Sequence, residues 1–185
     1  MKVLKIADEI GYFDQKQSLN NRKHYNNICV MLEERIFKDT RFYPRVILGI
    51  EKEAKKNNLD TILNFINEDN FIVPTSIERG KSDGILVLGP ISDGNLNRLK
   101  SFMVPVVLVD YVSFSVNTCA VLTQNIQGAY MATKYLIENG HCEIGFFGEK
   151  DMSLSFNERW IGFNKAMKQF GMPVEPTYTD SGKPH

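Results

Sequence analysis

Strand-like apolar runs alternate along the chain with longer segments whose apolar residues recur at helical spacing. The runs are Ile28–Leu32, Thr61–Ile66, Asp83–Gly89, Val106–Val109, Ala120–Leu122 and Ile144–Phe147. Continuous apolar runs such as the first are typical of parallel strands that are covered on both faces. The repeated order of strand and helix therefore predicts an α/β fold with a doubly wound parallel sheet and right-handed crossovers.

Side-chain chemistry marks where several of the helices begin and end. Ser92 and Asn125 each stand before a helical stripe and carry an oxygen that can accept a first-turn N–H. Ser155 and Glu158 have the spacing of a capping box at the start of the last helix. Gly140 stands where the preceding helix should end in the left-handed conformation.

The last predicted helix carries an apolar face that includes Phe163, Met167 and Phe170. No strand-like run follows this helix, so the strand–helix alternation ends without a strand to which the chain returns. We therefore expect an incomplete second half of the fold, with this apolar face left without cover.

The chain before the first strand has a different character. Val3–Ile10 repeats apolar residues at helical spacing, and Gly11 supplies a stop. Residues 13–27 are mostly polar and include several basic side chains but only one acidic side chain, Asp14. This pattern alone favours a solvated linker.

Composition limits the classes of function. The chain has 185 residues, 43% of them hydrophobic, and a formal net charge of +0, so any contact with nucleic acid has to come from a local patch. The cysteines Cys29, Cys119 and Cys142 are odd in number and lack metal-ligand spacing, which favours a reduced protein in the cytoplasm. The charged start is unlike a secretory signal, and no apolar run is long enough to span a membrane.

No catalytic pattern is present in the sequence. There is no glycine-rich phosphate loop, no G-x-G-x-x-G and no G-x-S-x-G elbow, so we expect no enzyme activity and no cofactor. The histidines His24, His141 and His185 lie far apart in the sequence and lack helix-spaced carboxylates, so no metal site is expected. The polar residues that follow the strands suit reversible binding of a small polar molecule, because ligands of open α/β sheets bind beyond the carboxyl ends of the strands.

Several motifs, in order and in register, resemble the effector-binding domain of the lactose-repressor/galactose-repressor (LacI/GalR) family. They are Gly49-Ile50-Glu51, Asp83-Gly84-Ile85, Pro105–Asp110, Asn125 with Gly128-Ala129, Leu136-Ile137 with Gly140-His141, and Arg159 with Gly162-Phe163. The resemblance implies a periplasmic-binding-protein-like (type I) fold. It also implies that residues 1–27 are a remnant of the DNA-binding headpiece and hinge, residues 28–123 the first lobe, and residues 124–185 a partial second lobe.

The resemblance further implies roles for individual residues. Effector-binding roles fall on Phe42, Tyr43, Asp110, Asn125, Ser153 and Arg159, and roles at the hinge and DNA fall on Leu19, Arg22 and Lys23. The sequence departs from the family at Asp14-Gln15, where Pro-Asn is usual, and at Thr40-Arg41, where Asn-Pro is usual.

Structural roles for the same residues stay open. Phe42 and Tyr43 could be core aromatics at the sheet edge, and Asp110 could cap the loop after its strand. Arg159 could be a solvated helix residue, whereas the resemblance favours a guanidinium clamp on the hydroxyls or carboxylate of a ligand.

The resulting prediction is a transcriptional repressor that senses a small metabolite, a sugar. The resemblance places the family's helix-turn-helix before Met1, so the chain is expected to lack it and to be truncated at both ends. The full-length protein is expected to bind operator DNA as a homodimer, without a membrane partner, and the first-lobe helix from Tyr43 to Asn57 lies where the family forms its dimer. The alternative is a periplasmic-type sugar-binding protein without DNA function, against which the missing signal peptide and the headpiece-like first helix argue.

Overall fold

The computed structural model describes residues 24–39, 42–148, 153–174 and 179–180. The chain forms two compact units. The first extends to Val107 and includes Ser115–Thr118, and the second comprises Leu108–Phe114 and the residues from Cys119 onward. The units divide earlier along the chain than the predicted lobe boundary at residues 123 and 124. The helix predicted at Val3–Ile10 lies outside the described residues.

The first unit and the strand that leaves it contain eight elements. They are β1 (Asn27–Glu33), α1 (Glu34–Asp39), α2 (Phe42–Lys56), β2 (Asp60–Ile66), α3 (Thr75–Glu78), β3 (Gly84–Leu88), α4 (Asp93–Lys100) and β4 (Val106–Val109). The remaining elements are β5 (Cys119–Val121), α5 (Asn125–Glu138), β6 (Phe146–Phe147), α6 (Leu154–Gln169) and β7 (Thr179–Asp180).

Strand β1 lies inside a five-stranded sheet whose order is β2-β1-β3-β4-β5. It pairs in parallel with both neighbours, with Ile28 opposite Thr61 on β2 and Gly84 on β3. The residues from Cys29 to Leu32 are buried, as the continuous apolar run predicts. The order of the strands reverses at β1, which makes the carboxyl ends of β1 and β3 the position where such sheets bind ligands.

The carboxylate of Asp83 fixes the segment that leads into β1. Its Oδ2 accepts hydrogen bonds from the backbone N–H of Tyr25 at 2.9 Å and of Asn27 at 3.3 Å. Its Oδ1 lies 3.5 Å from Nδ1 of His24. The backbone N–H of Asp83 also donates to the carbonyl oxygen of Asn27 at 2.8 Å. Asp83 thus connects the start of β1 to the start of β3.

Asp83→Ala is expected to lower the free energy of unfolding by about 1–3 kcal/mol, because two half-buried backbone N–H groups lose a charged acceptor. Asp83→Asn keeps an acceptor oxygen and should lose less. Urea unfolding of the two variants beside the wild-type chain measures the difference. Equal losses would show that the two backbone hydrogen bonds contribute nothing to stability.

The predicted N-cap residue agrees with the structure for one helix, α4, and differs from it for two, α5 and α6. Ser92 caps α4, since its Oγ accepts a hydrogen bond from the backbone N–H of Asn95 at 3.3 Å. Asn125 does not cap α5: it is the first helical residue, and the N-cap position belongs to Gln124, which makes no side-chain cap hydrogen bond. For α6 the cap is Ser153, so the capping box predicted at Ser155 and Glu158 is wrong.

The second unit has its own apolar core. Ile144, Phe163 and Met167 are buried together, and Ile137, Phe146, Trp160 and Met172 pack against them. Phe163 is 4% exposed, so the expectation that it and Met167 lack cover is wrong, whereas Phe170 is exposed. The expectation that no strand follows α6 is also wrong, because β7 pairs in parallel with β6.

Helices α5 and α6 approach each other closely at Gly162. A Cβ at this position would lie 2.1 Å from the carbonyl oxygen of Ile126 and 3.0 Å from Cβ of Ala129. The absence of a side chain at Gly162 therefore sets the distance between the two helices. The glycine of the Arg159, Gly162 and Phe163 motif thus has a packing role.

Candidate functional site

The adjacent aromatic residues Phe42 and Tyr43 lie in different surroundings at the start of α2. Tyr43 is 7% exposed and Phe42 is 47% exposed, and their rings meet edge to face at 5.1 Å between centroids. The hydroxyl of Tyr43 lies against Gly89, where a Cβ would approach it to 3.0 Å. Tyr43 thus packs at the carboxyl end of β3, and Phe42 keeps a free face.

Asp110 follows β4 in the second unit and is half-buried. Its φ is +60°, in the left-handed region that Asp adopts more readily than most residues. Its backbone N–H donates to the carbonyl oxygen of Val121 at 2.9 Å, which continues the pairing with β5. The chain turns at Asp110, which places this residue directly after the carboxyl end of β4.

Ser153 and Arg159 both belong to the start of α6. Ser153 Oγ accepts a hydrogen bond from the backbone N–H of Phe156 at 3.4 Å and lies 3.0 Å from Ser155 Oγ. Arg159 is half-buried, and its guanidinium carbon lies 5.9 Å from the centroid of the Phe156 ring. The guanidinium therefore packs against an aromatic ring, and no described carboxylate forms an ion pair with it.

Asn125 is buried at the start of α5, where it holds the side chain of Glu158 on α6. Its Nδ2 donates to Glu158 Oε2 at 2.8 Å. Asn125 is 6% exposed, and its Oδ1 has no hydrogen-bond partner among the described residues. A buried acceptor without a partner costs free energy, and such groups in native proteins call for a specific explanation.

A pocket of about 480 Å³ lies beside this pair, within the second unit. Its lining combines the start of α5 with one face of α6: Thr123, Gln124, Asn125, Ile126, Gln127, Tyr130, Glu158, Lys165 and Gln169. The hydroxyl of Tyr130 donates to Gln169 Oε1 at 3.0 Å. Eight of these nine residues carry a polar or charged group, and Ile126 is the only aliphatic one among them.

The six residues predicted to bind effector are thus divided between the two units. Phe42 and Tyr43 belong to the first, and the other four belong to the second. Only Asn125 among them lines the pocket. The sequence reading missed Lys165 and Gln169, whose signal is their spacing of seven and eleven residues from Glu158, which puts all three on one helix face. Leu19, Arg22 and Lys23 lie outside the described residues.

The described ranges contain neither a metal-binding cluster nor a membrane-spanning helix. No group of three or more His, Cys, Asp or Glu side chains there could hold a metal ion. No helix in the same ranges has the length and apolar character needed to cross a membrane.

A family profile described as "Periplasmic binding proteins and sugar binding domain of LacI family" matches residues 25–185. The match extends over most of the chain and includes every element of the fold. The chain belongs to this family. Within the LacI family, β1 to α6 are thus part of the ligand-binding domain, and the fold is of the type I periplasmic-binding-protein kind.

Three similar proteins illustrate the relationship. The HTH-type transcriptional repressor PurR of Photobacterium profundum is 28% identical over 189 residues, which cover 98% of this chain and 55% of that protein. A putative ribose operon repressor from Burkholderia thailandensis has a TM-score of 0.67 at 26% identity, and the match covers 85% of this chain and 61% of that one. The transcriptional regulator CelR–cellobiose complex has a TM-score of 0.65 at 22% identity, with 87% and 51% covered, and shows the fold alone.

The chain spans about half or less of the length of the curated relatives it matches.

Proposed function

We propose that this chain is the effector-sensing part of a transcriptional repressor that binds a small metabolite and responds through operator DNA. The observation that carries the proposal is the LacI-family match over residues 25–185. The curated relatives that the chain matches are named as transcriptional repressors. A repressor acts where the DNA is, so the protein works in the cytoplasm.

The effector in this proposal is a sugar. The family description names a sugar-binding domain, and one structural neighbour is a complex with cellobiose. Sugars need acceptors and donors for paired hydroxyl groups, which a carboxylate and a guanidinium provide. In this proposal Asp110 and Arg159, both in the second unit, supply these groups, and Asn125 and the Ser153 hydroxyl of the same unit are further contacts.

Arg159→Ala in the full-length protein is expected to weaken effector binding by at least about tenfold, because a hydrogen bond from a charged group contributes on the order of 1.5–3 kcal/mol. The stability cost should stay small, since the guanidinium stacks on one ring and has no described carboxylate partner. Effector titration and the melting temperature are measured side by side for Arg159→Ala and Asp110→Asn. A lower melting temperature with unchanged effector affinity would make both residues structural and contradict the site.

DNA contact in this proposal belongs to the segment before β1. Residues 1–27 include Arg22 and Lys23 for phosphate contact and Leu19 for the minor groove. Residues 28–123 and 124–185 then correspond to the first and second lobes of the effector domain.

The proposed assembly is a homodimer through α2. Leu48 lies on this helix with more than half of its surface exposed, and it is the proposed apolar contact of the dimer. Sedimentation of the full-length protein and of Leu48→Glu tests this contact. A wild-type monomer at micromolar concentration would exclude it.

The proposal is tested by selecting DNA fragments from a random library with the full-length protein. Enrichment of one sequence, with a two-fold repeat that matches a dimer, supports a repressor. Binding that depends on salt but not on sequence contradicts it.

A second candidate is a periplasmic-type sugar-binding protein without DNA function, because the same family description includes periplasmic binding proteins. It predicts sugar binding by a monomer and no selection of DNA, so the same experiment separates the two.

A further inference from the structure

We propose that Asp83 is a positioning residue for DNA binding, because its carboxylate anchors the turn through which the segment before β1 joins the first unit. The inference rests on the proposed function, since it concerns how that segment is presented to DNA. The family description and the names of the relatives assign no role to this residue. All of its contacts described below lie within the first unit.

The residues that lead into β1 bury little apolar surface. His24 and Asn26 are exposed, and Tyr25 and Asn27 are half-buried. Asn26 has a φ of +57°, in the left-handed region that Asn adopts more readily than most residues, so the chain turns there. A segment with few buried apolar contacts opens readily unless hydrogen bonds hold it. The conformation of this turn therefore depends on its hydrogen bonds.

Asp83 forms hydrogen bonds on both sides of the turn. Its Oδ2 accepts from the backbone N–H of Tyr25 at 2.9 Å and from that of Asn27 at 3.3 Å, the residues before and after Asn26. Its backbone N–H donates to the carbonyl oxygen of Asn27 at 2.8 Å. Hydrogen bonds to a charged acceptor are roughly twice as strong as those between neutral groups. One carboxylate thus fixes both ends of the turn.

Two further contacts fix the turn to the strands on either side of β1. The backbone N–H of Asp60, the first residue of β2, donates to the carbonyl oxygen of Asn26 at 2.7 Å. Nδ2 of Asn27 donates to the carbonyl oxygen of Lys81, shortly before β3, at 3.2 Å. Asp60 and Lys81 contribute backbone groups, whereas Asp83 contributes a side chain that a substitution can remove.

A fixed connection favours DNA binding for an entropic reason. A segment that can reorient freely has to be ordered when it binds DNA, and that ordering opposes association. In a dimer, the two DNA-binding parts must also match the spacing of the two halves of the site. A turn that is already held by Asp83 lowers the cost of both requirements. Loss of the anchor therefore weakens sequence-specific binding.

The test compares Asp83→Ala with Asp60→Ala in the full-length protein. Asp60 is exposed and contacts the turn through its backbone N–H, so the control removes the same charge and leaves the anchor in place. We expect Asp83→Ala to weaken binding to the DNA fragment selected by the wild-type protein by at least about fivefold. Asp60→Ala should bind at least as tightly as the wild type, because losing a negative charge favours phosphate contact.

Hydrogen exchange of two backbone amides shows, without DNA, whether Asp83 holds the turn. The amides of Tyr25 and Asn27 should exchange faster in Asp83→Ala, relative to the buried amides of β1, and should be unchanged in Asp60→Ala. Asp83→Asn keeps an acceptor oxygen and should restore part of the protection and part of the DNA affinity. If Asp83→Ala fails to fold, Asp83→Asn is compared with Asp60→Asn and should bind the DNA more weakly of the two.

The two readouts separate the possible failures. Equal DNA affinity of Asp83→Ala and Asp60→Ala, with faster exchange in the former, overturns the positioning role and leaves the proposed function standing. Unchanged exchange at Tyr25 and Asn27 overturns the anchor itself. A wild-type protein that selects no DNA sequence contradicts the proposed function and, with it, this role of Asp83.

Discussion

Gly162→Ala is expected to lower the free energy of unfolding of the second unit by about 3 kcal/mol, the upper end of the usual range for overpacking. The added Cβ would lie 2.1 Å from the carbonyl oxygen of Ile126, which is backbone inside α5 and has no rotamer that moves it away. Relief requires α5 and α6 to separate, which opens contacts along both helices. Close packing makes such a separation costly, because the lost contacts leave voids that water does not fill.

Gly128→Ala is the matched control, because Gly128 also lies inside α5 but a Cβ there meets no atom within 4 Å. Alanine favours helix over glycine by about 0.5–1 kcal/mol, so this variant should gain stability. Urea unfolding followed by Trp160 emission measures both changes. Similar values for the two variants would mean that the helices do not pack at Gly162 as described.

Phe163→Ala is expected to cost about 3–5 kcal/mol, the range for removing a buried aromatic side chain. Phe163 is 4% exposed, and its ring centroid lies 5.6 Å from those of both Phe146 and Trp160. The loss removes apolar burial and leaves a cavity next to Ile144 and Met167. The variant should also shift the emission of Trp160, because one neighbour of its indole ring is gone.

Phe147→Ala removes the same side chain from an exposed position in β6. Phe147 is 77% exposed, so its loss should change stability by less than about 1 kcal/mol. A small loss of stability for Phe163→Ala, or a large one for Phe147→Ala, would contradict the burial of Phe163 and the exposure of Phe147.

Much of the sheet follows from the sequence because its strands are buried on both faces. Such strands read as continuous apolar runs, and β1 lies where the run Ile28–Leu32 predicts. The helices α1 and α3 were not predicted, since they have six and four residues and are too short to repeat an apolar pattern. Strand β7 has two residues and depends on its pairing with β6, which no local pattern reveals.

The helix starts show why local chemistry was insufficient. Ser153 and Ser155 lie close together with similar side chains, and Glu158 three residues after Ser155 favours the second as the cap. In the structure Glu158 instead accepts a hydrogen bond from Asn125, a residue 33 positions earlier. Because the two side chains bind each other, Glu158 does not form a capping box with Ser155, and Asn125 does not cap α5. A contact between residues so distant in sequence cannot be derived from spacing.

The candidate site likewise contains residues that the sequence predicted and residues that only the packing of the helices brings together. The resemblance to the LacI family supplied six proposed contacts, which are Phe42, Tyr43, Asp110, Asn125, Ser153 and Arg159. It did not supply the pocket, because Tyr130 and Gln169 meet only when α5 and α6 pack.

We propose that ligand binding to this domain changes the affinity of the full-length protein for operator DNA. The most direct measurement is the fluorescence anisotropy of the selected DNA, titrated with protein at one salt concentration, with and without a saturating sugar shown by calorimetry to bind. We expect a change in DNA affinity of about 5–150-fold, the range for a coupling free energy of about 1–3 kcal/mol. An unchanged DNA affinity with the sugar bound would contradict it.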